Sequence, residues 1–158
     1  MGLDDEALAV WYAARVAEDK EPDPHRVERV REKLADINAH LVVVERAGQV
    51  VGMALAEPFR KHDGRGRLVP GHGHVSMVFV HPEHQRRGVG NELMRQLIAE
   101  VPWPGLSLWT RETNEAAQRL YAAVGFTPTS EVGRTPHGDP IRRWERSGVQ
   151  PANADDFS

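Results

Sequence analysis

The chain has 158 residues, 40% of them hydrophobic, with no cysteine and a formal net charge of −3. That suffices for one domain whose core needs no covalent staple; it excludes disulfides, thiolate metal sites and a cysteine nucleophile, and it fits a reducing compartment. The mildly acidic balance argues against a nucleic-acid-binding surface, and neither the acidic, amphipathic start MGLDDEALAV nor any later segment has the apolar run of a secretory signal or a membrane span, so a cytoplasmic location is expected.

Asp4 and Asp5 precede Leu8 and Trp11 on one helical face, with Ala7, Val10 and Ala14 beside them, which predicts a first helix over residues 5–17. Asp23-Pro24 reads as an N-cap followed by proline at the first helical position, and Val27, Val30, Leu34 and Ile37 continue at helical spacing. Residues 40–45 and 49–57 are rich in β-branched side chains and flank Arg46-Ala47-Gly48, a hairpin signal. A long loop is expected over residues 58–71. Its Arg60, Lys61, Arg65 and Arg67 read either as a solvated cluster or as a grip on an anionic group. Residues 74–80 are apolar at nearly every position, as in a central strand buried on both faces. After a loop, Val89, Leu93, Met94, Leu97, Ile98 and Val101 form a helical stripe that Pro102 and Pro104 halt. A strand follows over residues 106–110. Asn114 then caps a helix running to Val124, with Gly125 in the stop position. Residues 126–132 and 141–146 flank a Gly/Pro turn as a last hairpin, and residues 147–158 lack any apolar period, as a loose tail does. No internal repeat is found. The sum is an α+β fold with a mixed, mostly antiparallel central sheet, in which residues 74–80 run parallel to the strand after the next helix.

The most informative stretch is HVSMVFVHPEHQRRGVGNELMRQLIAE, residues 74–100. A strand runs through a proline stop and a loop carrying Gln85, Arg86, Arg87, Gly88 and Gly90 directly into a helix. Glycines permit a tight turn and close approach of a ligand, while the first N–H groups of the helix point together toward one spot. Two arginines add forked, permanently charged donors, so the loop is suited to a pyrophosphate. A dinucleotide fingerprint fails because its third glycine position is Leu93, and a P-loop fails because no lysine follows Lys61.

Val80-His81-Pro82 followed by Gln85-Arg86-Arg87-Gly88-Val89-Gly90 resembles the acyl-CoA loop of the GNAT superfamily of N-acyltransferases, whose signature reads Gln/Arg-x-x-Gly-x-Gly/Ala after a strand ending in Val-x-Pro. A second block in family order is Thr113-Asn114-Glu115-Ala116-Ala117-Gln118-Arg119-Leu120-Tyr121 with Val124-Gly125-Phe126. The resemblance is specific over residues 74–126 and extends by element order over residues 3–146, implying one acyltransferase domain, residues 1–146, ahead of the tail. It implies the GNAT fold, with helices on both faces of the sheet and a parallel strand pair that splays apart. The opening strand usual in the family is shortened or absent. The resemblance implies acetyl-CoA as co-substrate and no metal. It assigns the pantetheine arm to the backbone of Val78, Phe79 and Val80, and the diphosphate to Gln85, Arg86, Arg87, Gly88, Val89, Gly90 and Asn91. Beside it, the anionic group for Arg60, Lys61, Arg65 and Arg67 is an acidic substrate or the CoA 3′-phosphate, and a homodimer is expected by analogy.

Acetyl transfer to an amine needs a polarised thioester carbonyl, a proton for the leaving thiolate and a base for the ammonium. A backbone N–H near Val78 suits the first. Tyr121 matches the tyrosine that the family uses for the second, although Ala117, Leu120, Tyr121 and Val124 also form a plausible buried stripe. Asn114 is explained by capping alone and is equally a candidate for cofactor contact. Where relatives carry a glutamate for the third role, this chain has Ser76. The substitutes are Glu57, otherwise a strand-end solvent residue, His74 two residues from Ser76 on one sheet face, or water. His72, His74, His81 and His84 lack a further ligand at metal-binding spacing. Trp103 and Trp109 are core or cleft wall, and Trp109 is the one placed to touch an acceptor. The expected activity is direct acetyl transfer in a ternary complex to a primary amine of a small molecule, with no nucleic acid or membrane partner. The alternatives are a protein or aminoacyl-tRNA amine as acceptor, or a silent acyl-CoA-binding sensor.

Overall fold

The computed structural model describes residues 2–61 and 66–147, so Arg65 of the basic loop and the expected tail beyond Ser147 lie outside the described residues. The chain folds into two compact units. One contains the residues up to Glu57 together with Met77–Glu100, the other Pro58–Ser76 and the chain from Val101 onward.

In the first unit, α1 (Leu3–Ala17) buries Ala7, Leu8, Val10, Trp11 and Ala14, and α2 (Pro24–Ala35) buries Val30 and Leu34. The α2 start forms as its sequence dictates: the Asp23 carboxylate accepts from the Arg26 amide at 2.8 Å, and proline, needing no N–H partner, occupies the first turn. β1 (His40–Arg46) and β2 (Gln49–Arg60) pair antiparallel, joined by Ala47 (φ 53°) and Gly48 (φ 80°). Two left-handed residues give the hairpin a turn that matches strand twist. Met53 and Leu55 of β2 join Trp11, Leu8, Leu34 and Met77 in one apolar cluster. Gly52 alternates to the other face, where Val89 and Leu93 of α3 (Val89–Glu100) close on it, so helices cover both faces here.

In the second unit, β4 (Gly105–Arg111) lies between β3 (Leu68–Val80) and β6 (Pro140–Arg146), with β5 (Thr127–Arg134) outermost and α4 (Glu115–Ala123) linking β4 to β5. The six-stranded sheet has the order β1-β2-β3-β4-β6-β5, and β2 and β3 run on through both units. β3 and β4 are parallel, pairing His72, Gly73 and His74 with Gly105, Leu106 and Ser107. Among the described residues no pair with β4 follows His74, although β3 continues to Val80. Glycines make this seam possible from opposite faces. A Cβ on Gly73 would stand 2.2 Å from the Trp103 indole, and one on Gly105 2.7 Å from the His72 ring. The α+β reading with its mixed sheet and parallel pair is what the structure has.

Several expectations are corrected. α1 begins at Leu3 rather than residue 5, with Gly2 as N-cap, and is the first element described. Ile37 does not continue the α2 stripe: Asp36 turns extended at ψ 124° and leaves Ile37 94% exposed. The loop of residues 58–71 is much shorter, because β2 reaches Arg60 and β3 starts at Leu68. Residues 74–80 are not buried on both faces; Val75 and Met77 are buried while His74, Ser76 and Val78 are half-buried, the alternation of a strand with one polar face. Ile98 and Val101 are likewise only half-buried. No helix among the described residues is long and apolar enough to cross a membrane.

Candidate active site

The loop from strand to helix is built as its residues require. The His81 amide donates to the Val51 carbonyl at 2.8 Å, which fixes the end of β3 against β2. Pro82–His84 make one tight turn, with the His81 imidazole Nδ1 accepting from the Glu83 amide at 3.2 Å. Arg86 then adopts φ 63° and Gly88 φ 82°, and α3 begins at Val89. The left-handed conformation costs a non-glycine residue about 1–2 kcal/mol, and such strain concentrates at ligand clamps. Nothing lies within 4 Å of the position a Gly88 Cβ would take, so the ground over the loop is open. Gln85, Arg86 and Arg87 are exposed, and the helix behind them presents its first amides.

α3 is clamped at this end. A Cβ on Gly52 would stand 2.6 Å from Val89 Cγ1 and 3.0 Å from Leu93 Cδ1, so bare backbone is what lets the helix start so close to β2. Arg46 of β1 pairs with Glu92 in the first helical turn at 2.9 Å. The Asn91 amide oxygen accepts from Arg95 one turn on. Val78, Phe79, Val80 and Gly90 are half-buried and Val89 is buried. These residues all belong to the first unit.

The Glu57 carboxylate, also in that unit, takes the Lys33 ammonium of α2 at 2.7 Å, with its side chain 24% exposed.

In the second unit, His74 Nδ1 lies 3.0 Å from the Ser107 hydroxyl, while the Ser76 side chain offers no basic group. His72 Nε2 accepts from Arg143 at 3.4 Å, and burial, aided by the Arg143 charge and opposed by Glu145, pushes its pKa down, keeping it neutral. The Arg143 guanidinium stands 5.1 Å over the Phe59 ring and pairs with Glu145, with Glu131 at 3.7 Å. Phe59 in turn meets both histidine rings, at centroid distances of 5.0 and 6.0 Å. Trp109 is half-buried on the same strand face as Ser107.

Tyr121 is 9% exposed, edge-on to Phe126 at 6.1 Å, and burial pushes its phenol up to about 12. Its helix is tied to the end of β4: Gln118 donates to the Arg111 and Glu112 carbonyls at 3.1 and 2.9 Å. The Asn114 side chain accepts from the Ala117 amide at 3.0 Å, the capping bond. His81 and His84 approach at 6.0 Å, and no group of three or more metal-binding side chains occurs among the described residues.

Sequence reasoning overlooked Gly52, Lys33, Ser107 and the Arg143 cluster. Only Gly52 carried a signal, since a glycine inside a strand pattern marks close backbone approach. The others depend on pairings between distant segments.

The acetyltransferase (GNAT) family profile matches residues 7–126. The chain is 28% identical over 139 residues to the L-amino acid N-acyltransferase MnaT of Escherichia coli (strain K12), covering 86% of this chain and 77% of that one. It is 30% identical over 139 residues to the L-methionine sulfoximine/L-methionine sulfone acetyltransferase of Salmonella typhimurium, with coverage of 86% and 77%. Among solved structures, yncA of Salmonella typhimurium, determined with its cofactor acetyl-CoA, superposes with a TM-score of 0.71 at 20% identity, over 95% of this chain and 92% of that one.

Proposed function

This chain belongs to the acetyltransferase (GNAT) family as an acetyl-CoA-dependent N-acetyltransferase, and on that premise we propose that it acetylates the primary amine of a small molecule, with amino acids as the first class to try. The observation that carries the cofactor half is the backbone of residues 86–89: left-handed Arg86 and Gly88 leading into α3 beneath open ground. In this reading amides of the loop and of α3 hold the diphosphate, with Arg86 and Arg87 pairing to its oxygens. Val78 and Val80 supply main-chain partners to the pantetheine arm, supported by the end of the parallel ladder at His74. The acceptor half is supported by relatives named as an L-amino acid N-acyltransferase and an L-methionine sulfoximine/L-methionine sulfone acetyltransferase.

The acceptor arrives as an ammonium ion and must lose a proton before it attacks. His74 is the base, since Glu57 is bound to Lys33 and Ser76 is an alcohol. The amine then attacks the thioester carbon, held by an N–H near Val78; the C–N bond forms and the C–S bond breaks. Tyr121 serves the leaving sulfur. A phenol at about 12 set against an ordinary thiol near 8.5 makes complete proton transfer uphill by roughly 5 kcal/mol. Tyr121 therefore steadies the thiolate by hydrogen bonding, and the thiol proton is supplied finally from solvent.

Titration calorimetry with CoA, followed by thiol release from acetyl-CoA across a panel of L-amino acids, simple amines and a peptide N-terminus, tests the reading. CoA binding with release driven by amino acids supports it. Binding with no release on any amine makes the chain an acyl-CoA-binding module, release on the peptide alone makes it a protein acetyltransferase, and absence of CoA binding removes the cradle altogether.

A further inference from the structure

The turn end of the β1–β2 hairpin holds the strand-to-helix loop at three points. The register slips between Val44 and Glu45: Val44 pairs with Gly52 and Glu45 with Val50, which leaves Val51 as the extra residue of a bulge. The Val51 carbonyl takes the His81 amide at 2.8 Å, where β3 ends. Gly52, next along, is the bare backbone on which Val89 and Leu93 close. Arg46 makes the third contact, its Nη2 donating to Glu92 Oε1 at 2.9 Å while its Nη1 donates to the Glu45 carbonyl at 2.9 Å. All of these residues lie in the first unit.

Stability does not explain the third contact. The side chains of Arg46 and Glu92 are 41% and 43% exposed, and pairs so exposed add little to folding. Its effect is electrostatic. Glu92 is the acidic residue in the first turn of α3, where a carboxylate suits the helix but opposes any anion that the same amides would hold. Resting on the reading of residues 85–91 as the diphosphate cradle, we propose that Arg46 is a positioning residue for coenzyme A that acts through Glu92: it cancels the carboxylate of that turn and so leaves the field of Arg86 and Arg87 to draw the diphosphate.

The geometry suits that task. With one nitrogen on a main-chain carbonyl and another on the carboxylate, the Arg46 fork is fixed at both ends, unlike a loose surface arginine. Arg95, the guanidinium further along α3, is engaged through Nε with Asn91. Among the described residues Glu92 therefore meets its cation in Arg46 alone. The cancelling charge comes from the hairpin, so it leaves Arg86 and Arg87 free for the ligand.

The test is titration calorimetry of the full chain with CoA and, separately, with inorganic pyrophosphate, at low and at high salt, with urea unfolding read alongside to show that each variant is folded. Arg46→Gln is expected to weaken both ligands about threefold to tenfold at low salt, and the gap should close at high salt as the charges are screened. Glu92→Gln should bind more tightly than the wild type, since it leaves a guanidinium unanswered. The double variant Arg46→Gln/Glu92→Gln should return to wild-type affinity because its summed charge is that of the wild type. Arg46→Lys keeps the charge and most of the affinity. A mere tether gives a different order, with both single variants and the double variant equally weak. That order, or wild-type affinity in Arg46→Gln at low salt, overturns the proposal and leaves the cradle standing. A wild type that binds pyrophosphate but not CoA sinks the coenzyme reading while the pyrophosphate series still judges Arg46, and one that binds neither overturns both.

Discussion

Gly52→Ala perturbs the proposed cofactor site from behind, without touching the loop. The new Cβ stands 2.6 Å from Val89 Cγ1, and ordinary carbon contact is about 3.5–4.0 Å, so roughly 1 Å must be found. Val89 is β-branched and 1% exposed, so its methyls have nowhere to turn. The start of α3 has to lift instead, and with it Gly88 and the arginines before it. Such overpacking costs about 1–3 kcal/mol of stability. A 1 Å displacement also breaks an amide-to-phosphate hydrogen bond, which at about 1.5–3 kcal/mol for a charged partner weakens CoA binding roughly tenfold to a hundredfold. Urea unfolding and titration calorimetry measure the two effects separately. Val89→Ala removes the clashing methyls, so the double variant Gly52→Ala/Val89→Ala should regain most of the lost CoA affinity, with a coupling of at least about 1 kcal/mol in the cycle. Strict additivity, or CoA affinity unchanged in Gly52→Ala, would refute the claim that this glycine sets the height of the loop.

Three further outcomes are expected. Arg87→Ala should weaken CoA about tenfold to a hundredfold in calorimetry, and less so as salt rises, while urea unfolding stays within about 0.5 kcal/mol of the parent, because the side chain is exposed. Tyr121→Phe should lower kcat more than CoA affinity. It should also alter alkaline unfolding: with the phenol at about 12 when folded and 10 when free, the folded state holds its proton longer, so stability is intact below pH 10 and falls by about 3 kcal/mol as pH climbs to 12, a loss the phenylalanine variant lacks. Lys33→Met releases Glu57 from its ammonium partner; if His74 is the base, the acid limb of kcat/KM stays where it was, and a limb that follows the substitution would transfer the role to Glu57.

The parts of this fold that were readable in advance are those set by neighbours in sequence. Asp23-Pro24, Asn114, the stripe of α1 and the Val89, Leu93, Met94 and Leu97 part of the α3 stripe announce themselves through local bonding and period, and the structure has them. Ile37 misled because spacing continues past the point where Asp36 leaves helical space. Residues 58–71 looked like a loop because Pro58 and the glycines argue against strand; β2 nevertheless runs to Arg60 and β3 starts at Leu68, as neighbours in one sheet. The proposed cradle could be named in advance because its residues are consecutive, yet the left-handed backbone at Arg86 could not, since nothing in an arginine marks it. The base was hardest. The contacts that bear on the candidates, Lys33 with Glu57 and Ser107 with His74, join residues 24 and 33 positions apart.

The seam between β3 and β4 has a bearing on how this chain can vary. With the Trp103 indole seated on Gly73 from one side and the His72 ring on Gly105 from the other, each glycine is bound in fate to the ring above it. A random substitution at either glycine meets a filled space, and a smaller residue at 103 or 72 alone leaves a hollow. Change at this seam therefore has to arrive in pairs, so a mutagenised population sorted for folded protein should recover position 73 as anything but glycine only on backgrounds that have also lost the tryptophan.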